Sequence, residues 1–202
     1  MMENNKFKYK IENKRYHTWN YYLRQKFGTK VFKVSINAGF TCPNIDGSIS
    51  YGGCAYCSKD GSGDFAGNPR DNLVKQFKEI KEMMEKKWPQ AKYIGYFQAF
   101  TNTYAPLEVL KEKYETILDQ EGVIGLSIST RPDCIDDHIL DYLDDLNKRT
   151  NLWVELGLQT VHDKTSNIIN RGHGLDIFID CVNRLRSRGI EVVAHVINGL
   201  PG

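Results

Sequence analysis

Apolar and polar positions along the chain follow two different periods. Runs rich in β-branched and aromatic residues predict strands, and apolar positions three and four residues apart predict amphipathic helices. The predicted strands span residues 31–36, 92–100, 123–130, 152–159 and 190–197. The predicted helices span residues 71–88, 107–120, 136–149 and 175–188. Gly189 follows the last helix and is its expected C-terminal cap.

Strands and helices therefore alternate, which is typical of βαβ units around a parallel sheet. Right-handed crossovers would curl such a sheet into a barrel or cover both of its faces. In both architectures ligands bind at the carboxyl ends of the strands. The polar and glycine-rich segments of this chain follow the predicted strands: NAGFTCPN, QAFTNTYAP, STRPD, LQTVH and NGLPG. We therefore expect the functional site at that end of the sheet.

Three of the five cysteines lie in the long glycine-rich loop after the first predicted strand, with the spacing Cys42-x11-Cys54-x2-Cys57. An odd number of cysteines does not form a complete disulfide framework. The C-x2-C pair instead lets two thiolates share one metal centre, and the upstream cysteine supplies a third. Cys134 and Cys181 stand apart in the sequence and are interpreted as packing residues.

Two kinds of metal centre fit three thiolates. A structural zinc site is closed by a fourth ligand, which here would be a distant residue such as His17 or Cys134. A 4Fe–4S cluster normally takes four cysteines, so three would leave one iron open to a ligand. The position of the loop after the first strand of a βα series favours the cluster, and zinc remains the alternative.

Charge is concentrated near the N-terminus. The whole chain carries a net charge of +2, whereas residues 6–33 hold nine Lys and Arg residues and a single acid, Glu12. Tyr, Trp and Phe residues are interleaved with these bases. Such a segment either meets phosphates and stacks on bases, or forms a solvated helix whose aromatic residues cover one end of the barrel.

The sequence offers no membrane anchor. It has no run of about 18 apolar residues, so no transmembrane helix is expected. Its basic N-terminal segment lacks the apolar stretch of a secretory signal. The expected compartment is the cytoplasm, where thiols stay reduced.

Seven segments in this order resemble one known family: INAGFTCPNIDG, GGCAYC, QAFTNTYAP, SISTRPDC, VELGLQT, NRGH and HVINGLPG. They are similar to the radical S-adenosylmethionine (SAM) superfamily, in the branch of the Elongator catalytic subunit and the YhcC/YtqA-like bacterial proteins. The resemblance runs from about Arg15 to Gly202. The long gap between the first two cysteines departs from the common C-x3-C-x2-C spacing and matches this branch.

The resemblance implies a fold and two cofactors. The fold is α/β, a partial (β/α)6 barrel truncated after its fifth strand. Residues 31–202 would form the radical SAM core domain, incomplete at its C-terminus, and residues 1–30 a basic aromatic extension. The three cysteines would hold a 4Fe–4S cluster whose open iron binds SAM. One electron would then cleave SAM to methionine and a 5′-deoxyadenosyl radical, which abstracts hydrogen from the substrate.

The resemblance also implies cofactor contacts in the cysteine loop and at the ends of the second and third strands. Tyr56, between the last two cysteines, would pack near the adenine. Gln98 and Asn102 would lie where the superfamily handles the methionine amino group. Ser129 and Arg131, at the end of the third strand, are further candidates.

The second half of the chain supplies five more candidate contacts. Glu155 and Gln159 lie four residues apart, on one face of the fourth strand, where they would meet the SAM amino group or ribose. Arg171 would pair with the SAM carboxylate. His195 and Asn198, at the end of the fifth strand, would face the adenine or the substrate.

Relatives in this branch act on the wobble uridine of tRNA at its 5-position, so the resemblance implies a tRNA-modifying transferase. An electron donor such as flavodoxin or ferredoxin would be the second partner. The basic, aromatic N-terminal segment is compatible with RNA binding near the barrel mouth. Two alternatives stay open: a radical SAM enzyme with a non-RNA substrate, and a zinc-dependent nucleic-acid-binding module without catalysis.

Overall fold

The computed structural model describes residues 14–202 of the chain. In this part, one open sheet contains five parallel strands that pair in chain order: β1 (Val31–Ile36), β2 (Lys92–Phe97), β3 (Val123–Thr130), β4 (Asn151–Gln159) and β5 (Glu191–Val196). Helices connect successive strands. This architecture confirms the predicted α/β fold, a curled parallel sheet with its carboxyl ends at one edge.

Four longer helices fill the crossovers: α2 (Leu73–Glu85), α3 (Leu107–Leu118), α4 (Asp137–Arg149) and α6 (Leu175–Ser187). A further helix, α1 (Trp19–Phe27), precedes the sheet, and a short helix, α5 (Asp163–Ile168), follows β4. Side-chain caps begin α2 and α4, because Asn72 and Asp136 each accept a backbone N–H at 2.8 Å. No helix within residues 14–202 is both long and apolar enough to cross a membrane.

The main core lies between the outer face of the sheet and the crossover helices. Alternate strand residues, among them Val34, Phe97 and Leu126, pack there with Leu110 of α3 and Leu143 of α4. All five side chains are fully buried. This apolar layer holds the helices against the strands and fixes which strand residues face the other way.

The concave face of the sheet is polar at its centre. Lys33 of β1, Tyr96 of β2, Ser127 of β3 and Glu155 of β4 hydrogen-bond or pack with one another there. Strands of a parallel sheet that are buried on both faces are usually apolar throughout. Polar side chains on this face therefore mark the wall of a site rather than a second core.

α1 closes the amino-terminal end of the concave face. Its buried Leu23 packs with Val31, Ile94 and Trp153, which lie near the beginnings of three strands. Lys26 forms an ion pair with Glu191, the first residue of β5, at 2.7 Å. Trp19, Tyr22 and Phe27 pack on the same cluster and thus cover the end of the barrel, as one of the two interpretations of the segment predicted.

The predicted bounds of two elements are wrong. β2 ends at Phe97 rather than at residue 100, because the chain then turns: Phe100 has φ 63° and its N–H donates to the Gly61 carbonyl. α2 is shorter than the predicted helix 71–88, because Asn72 caps its start and the helix ends at Glu85. The sequence periodicity also did not predict α5, a helix of six residues.

Replacing Leu23 by Ala should destabilise the protein by about 2–5 kcal/mol, because it leaves a cavity between α1 and the sheet. The free energy of unfolding from urea denaturation is the measurement. Ile179→Ala is the control, since this α6 side chain is 50% exposed. It should change the free energy by about 0.5 kcal/mol or less. Equal losses in both variants would show that α1 is not part of the core.

Candidate active site

The cysteine-bearing loop, residues 37–72, is anchored at the carboxyl ends of the strands by the segment between α5 and α6. The buried amide of Asn44 donates to the carbonyls of Asn170 at 2.7 Å and Arg171 at 3.0 Å. The same amide lies 3.3 Å from the Cys54 sulfur. A Cβ at Gly172 would lie 2.6 Å from the Asn44 side chain, so a glycine is needed at this contact. Asn44 was not predicted, although it follows Cys42 by two residues.

The three cysteines of this loop line one cavity. A hydrogen bond from Cys57 lowers the pKa of the Cys54 thiol to about 6, although burial opposes the shift. The same interaction, together with burial, raises the pKa of Cys57. The two thiols therefore interact with each other. Cys42 lines the same cavity.

The donors present fit an iron–sulfur cluster better than a closed zinc site. Within residues 14–202, no three His, Cys, Asp or Glu side chains are gathered tightly enough to hold a single metal ion. Three cysteines spread around one cavity leave room for a group larger than one ion, and thiolates are the ligands that iron–sulfur clusters take. Their role as ligands remains a prediction.

Eight of the ten predicted cofactor contacts line the same cavity: Tyr56, Gln98, Ser129, Arg131, Glu155, Gln159, Arg171 and His195. Asn102 does not line it. Its buried amide donates to the Ser129 carbonyl at 2.8 Å and joins two strand ends. Asn198 is exposed in the turn after β5 and also lies outside the cavity wall. The structure thus brings together residues more than 130 positions apart in the sequence, and their contacts with a cofactor remain predictions.

Arg171 is almost completely buried, and most of its donors are already used. Nε donates to the His173 carbonyl at 3.0 Å, and Nη1 donates to the carbonyls of Leu158 and Thr160. Burial lowers the pKa of this guanidinium. These bonds fix the end of β4 against the α5–α6 segment and leave the Nη2 side of the guanidinium for a carboxylate.

Arg131 is held in a similar way. Its Nε and Nη2 donate to both carboxylate oxygens of Asp133, at 2.9 and 2.7 Å, and Nη1 donates to the Arg171 carbonyl at 2.8 Å. The bidentate pair fixes the plane of the guanidinium. Arg131 therefore braces the wall of the cavity, and most of its donors are not available to a ligand.

Glu155 is the centre of a buried polar network. Its carboxylate accepts hydrogen bonds from Lys33 and Ser127, and from His195 at 2.6 Å. Burial alone would raise the pKa of Glu155, but the bonds from His195, Lys33 and Ser127 hold it at about 2. The carboxylate is therefore ionised. Sequence reasoning counted Lys33 only as part of a basic segment, although its alternation with Val34 on a strand indicates an inward side chain.

Gln159 has an unsatisfied group at the cavity. It is a non-glycine residue with φ 54°, at a register shift between β4 and β5. The side chain is buried, and its Oε1 has no hydrogen-bond partner within the described chain. Gly157 makes room for this amide, since a Cβ there would lie 2.4 Å from Gln159 Nε2. A strained backbone and an unpaired acceptor are costs that a bound donor would offset.

Comparison with known proteins identifies the family. Residues 49–202, about three quarters of the chain, match the Radical SAM superfamily. The chain belongs to the radical SAM superfamily. The family assignment replaces the zinc-module alternative, because members of this superfamily use SAM and a 4Fe–4S cluster.

Curated relatives place the chain in one branch of the superfamily. It is 58% identical over 201 residues to YtqA of Bacillus subtilis, covering 100% of this chain and 62% of that protein. It is 40% identical over 185 residues to MJ0486 of Methanocaldococcus jannaschii, covering 90% of this chain and 56% of that protein. Elongator complex protein 3 of Schizosaccharomyces pombe is 32% identical over 79 residues, which are 39% of this chain and 14% of that protein. The chain thus spans less than two thirds of the curated relatives it matches.

A solved structure shares the fold. The archaeal Methanocaldococcus infernus Elp3 with an N-terminal deletion aligns with a TM-score of 0.55 and 18% sequence identity, over 85% of this chain and 39% of that one. The match supports the partial radical SAM barrel. At this identity the match concerns the fold alone, and the likeness in sequence to Elongator complex protein 3 rests on the 79 aligned residues.

Replacing Cys42, Cys54 or Cys57 singly by Ala should remove most of the iron from anaerobically reconstituted protein, because each thiolate would hold one iron of the radical SAM cluster. Iron and sulfide analysis is the measurement. Cys134→Ala and Cys181→Ala are the controls: neither thiol lines the cavity, and burial raises their pKa values to about 12 and about 11. Iron loss in Cys134→Ala equal to that in Cys54→Ala would show that the ligand set is wrong.

Gln159→Asn should weaken SAM binding about tenfold while keeping the protein folded, since a hydrogen bond that contributes roughly 1.4 kcal/mol is equivalent to a tenfold change in affinity. Asn tolerates a positive φ, but its amide is shorter and would not reach the same donor. Equilibrium SAM binding to cluster-loaded protein is the measurement. Gln120→Asn, at the end of α3, is the matched control and should not change SAM affinity. An unchanged affinity in Gln159→Asn would remove this residue from the SAM site.

Proposed function

We propose that this chain is the radical SAM part of a tRNA-modifying enzyme whose substrate is a wobble uridine. The proposal is carried by one observation: a cysteine-lined cavity on an Elp3-like radical SAM barrel. Similarity to Elongator complex protein 3 favours tRNA over other substrates, because the Elp3-like branch acts on wobble uridine at its 5-position.

The cofactors would supply the reactive chemistry. With the cluster and SAM bound, reductive cleavage of SAM would supply a 5′-deoxyadenosyl radical for hydrogen abstraction. The chain itself would hold the cluster with its three cysteine thiolates and orient SAM with Gln159 and the free side of Arg171. Gln98 donates to the Ser62 carbonyl at 2.9 Å and so draws the cysteine loop over the cavity, where it would exclude water.

Reduction of the cluster needs an external electron. We infer a small one-electron carrier, such as flavodoxin or ferredoxin, as the second partner. Both the electron carrier and tRNA are present in the cytoplasm, so we propose that the protein acts there.

The basic N-terminal segment supports the RNA proposal less than its composition indicated. In the described part of the segment, the rings of Trp19 and Trp153 pack edge to face at 5.4 Å, and Lys26 is paired with Glu191. This packing lies at the amino ends of the strands, opposite the cysteines. Trp19 and Lys26 are thus engaged within the fold, and RNA binding by residues 6–33 stays a prediction. Residues 6–13 lie outside the described residues.

This placement favours a second candidate function. A radical SAM enzyme with a non-RNA substrate would need no basic surface at the mouth of the cavity. The same cofactors and the same residues would serve that reaction, so the substrate is what separates the two proposals.

Cells that lack the protein should lose one modified wobble uridine from their total tRNA, because no other enzyme would install that group. Mass spectrometry of tRNA nucleosides is the measurement. Complementation with the full-length wild-type protein should restore the nucleoside, and complementation with its Cys54→Ala variant should not. A nucleoside profile identical to that of the parent strain would favour the non-RNA substrate.

A further inference from the structure

An interior ion pair joins two strands that are not neighbours in the sheet. Lys33 of β1 and Glu155 of β4 form an ion pair across the concave face, although β2 and β3 lie between these strands. The Lys33 side chain is 24% exposed and that of Glu155 is 2% exposed. A buried carboxylate needs a positive partner and further donors. Lys33 is the cation that meets this need from inside the barrel.

Lys33 is held in place by aromatic rings on both sides. Its ammonium lies 4.3 Å from the centroid of the Tyr96 ring and 5.1 Å from that of Trp19. These cation–π contacts are strongest where water is excluded. The Tyr96 hydroxyl is in turn within 3.1 Å of the Ser129 hydroxyl, on the next strand. The position of Lys33 is therefore set by α1, β1 and β2 together.

Glu155 has little remaining capacity to bind a ligand. One oxygen accepts from Lys33 and Ser127, and the other accepts from His195 Nε2 at 2.6 Å. An ionised carboxylate is only an acceptor, so Nε2 of His195 carries the proton of this bond. Lys33 and Glu155 already balance each other's charge. In an imidazole whose proton is on Nε2, Nδ1 is a hydrogen-bond acceptor.

Glu155 also lines the cavity, but His195 is the more exposed member of this network. Its side chain is 44% exposed and lines the cavity with the cysteines. Arg171 and His173 line the same cavity, and in the described part of the chain neither forms a hydrogen bond with His195. Nδ1 is therefore open to a ligand that carries a hydrogen-bond donor, such as a hydroxyl or an amino group.

We propose that Lys33 is a positioning residue of this site, which acts on the ligand only through Glu155 and His195. Its positive charge satisfies Glu155, so His195 keeps a single proton on Nε2 and presents Nδ1 as an acceptor to SAM. The inference rests on SAM binding in this cavity and not on the identity of the final substrate. A negative result in the tRNA nucleoside measurement leaves it unchanged.

The direct test is the protonation of His195 in Lys33→Met. Without the lysine, Glu155 must draw a second proton onto His195 or take up a proton itself and donate it to Nε2. Nδ1 of His195 becomes protonated in both cases. ¹⁵N NMR of the imidazole in the full-length, cluster-loaded protein reports this change, and the His195→Gln variant assigns the signals. An unprotonated Nδ1 in both the wild type and Lys33→Met would overturn the proposal.

SAM affinity gives an independent test. Lys33→Met should weaken SAM binding about tenfold, the equivalent of one hydrogen bond, and Lys33→Arg should restore most of the loss because it keeps the charge. In a His195→Gln background, Lys33→Met should have no further effect. An equal loss in both backgrounds would show that Lys33 acts only on folding.

Two further variants control this test. Lys26→Met removes another ion pair, at the amino ends of the strands, and should leave both SAM affinity and the His195 signals unchanged. Lys33→Gln replaces the charge by a neutral donor and serves if Lys33→Met does not fold. In Lys33→Gln, as in Lys33→Met, Nδ1 of His195 should be protonated. An unprotonated Nδ1 in folded Lys33→Gln would contradict the proposal.

Discussion

Parallel pairing in chain order is the constraint on which the rest of the structure depends. It brings the carboxyl ends of all five strands to one edge, so Cys42 and His195 line the same cavity. The sheet must also curl, since Lys33 on one edge strand reaches Glu155 three strands away. The ion pair and the curl support each other: the curl brings the charges together, and the buried charges require a curled, enclosed face.

The two ends of the barrel differ in their contacts: the amino ends are packed with apolar side chains, and the carboxyl ends form the wall of the candidate site. At the amino ends, α1 packs Leu23 against Trp153 and closes the sheet with apolar and aromatic contacts. At the carboxyl ends, the contacts are hydrogen bonds between loops, such as those from Asn44 and Arg171 to backbone carbonyls. The apolar contacts at the amino ends exclude water. The hydrogen bonds at the carboxyl ends hold the loops in place around the cavity. Lys33 connects the two kinds of contact, because Trp19 of α1 packs against its ammonium.

Periodicity and spacing were sufficient for the fold class, the five strands and the cavity side of Glu155 and Gln159. They were not sufficient for residues whose role depends on distant partners. Asn44 hydrogen-bonds to the segment between α5 and α6, and Lys33 pairs with a residue 122 positions away. Neither contact produces a local pattern in the sequence. Composition also could not distinguish an exposed ring in the N-terminal segment from one that packs on Trp153, as Trp19 does.

One unsatisfied polar group lies in the wall of the cavity. Within the described chain, five buried side-chain atoms have no hydrogen-bond partner: Trp19 Nε1, the Tyr93 hydroxyl oxygen, and one amide oxygen each of Asn44, Asn102 and Gln159. Of these five residues, Gln159 is the one that lines the cavity. An unpaired buried acceptor costs roughly 1–3 kcal/mol, so a fold optimised for stability alone would have paired this oxygen. A hydrogen-bond donor on a bound cofactor would offset that cost.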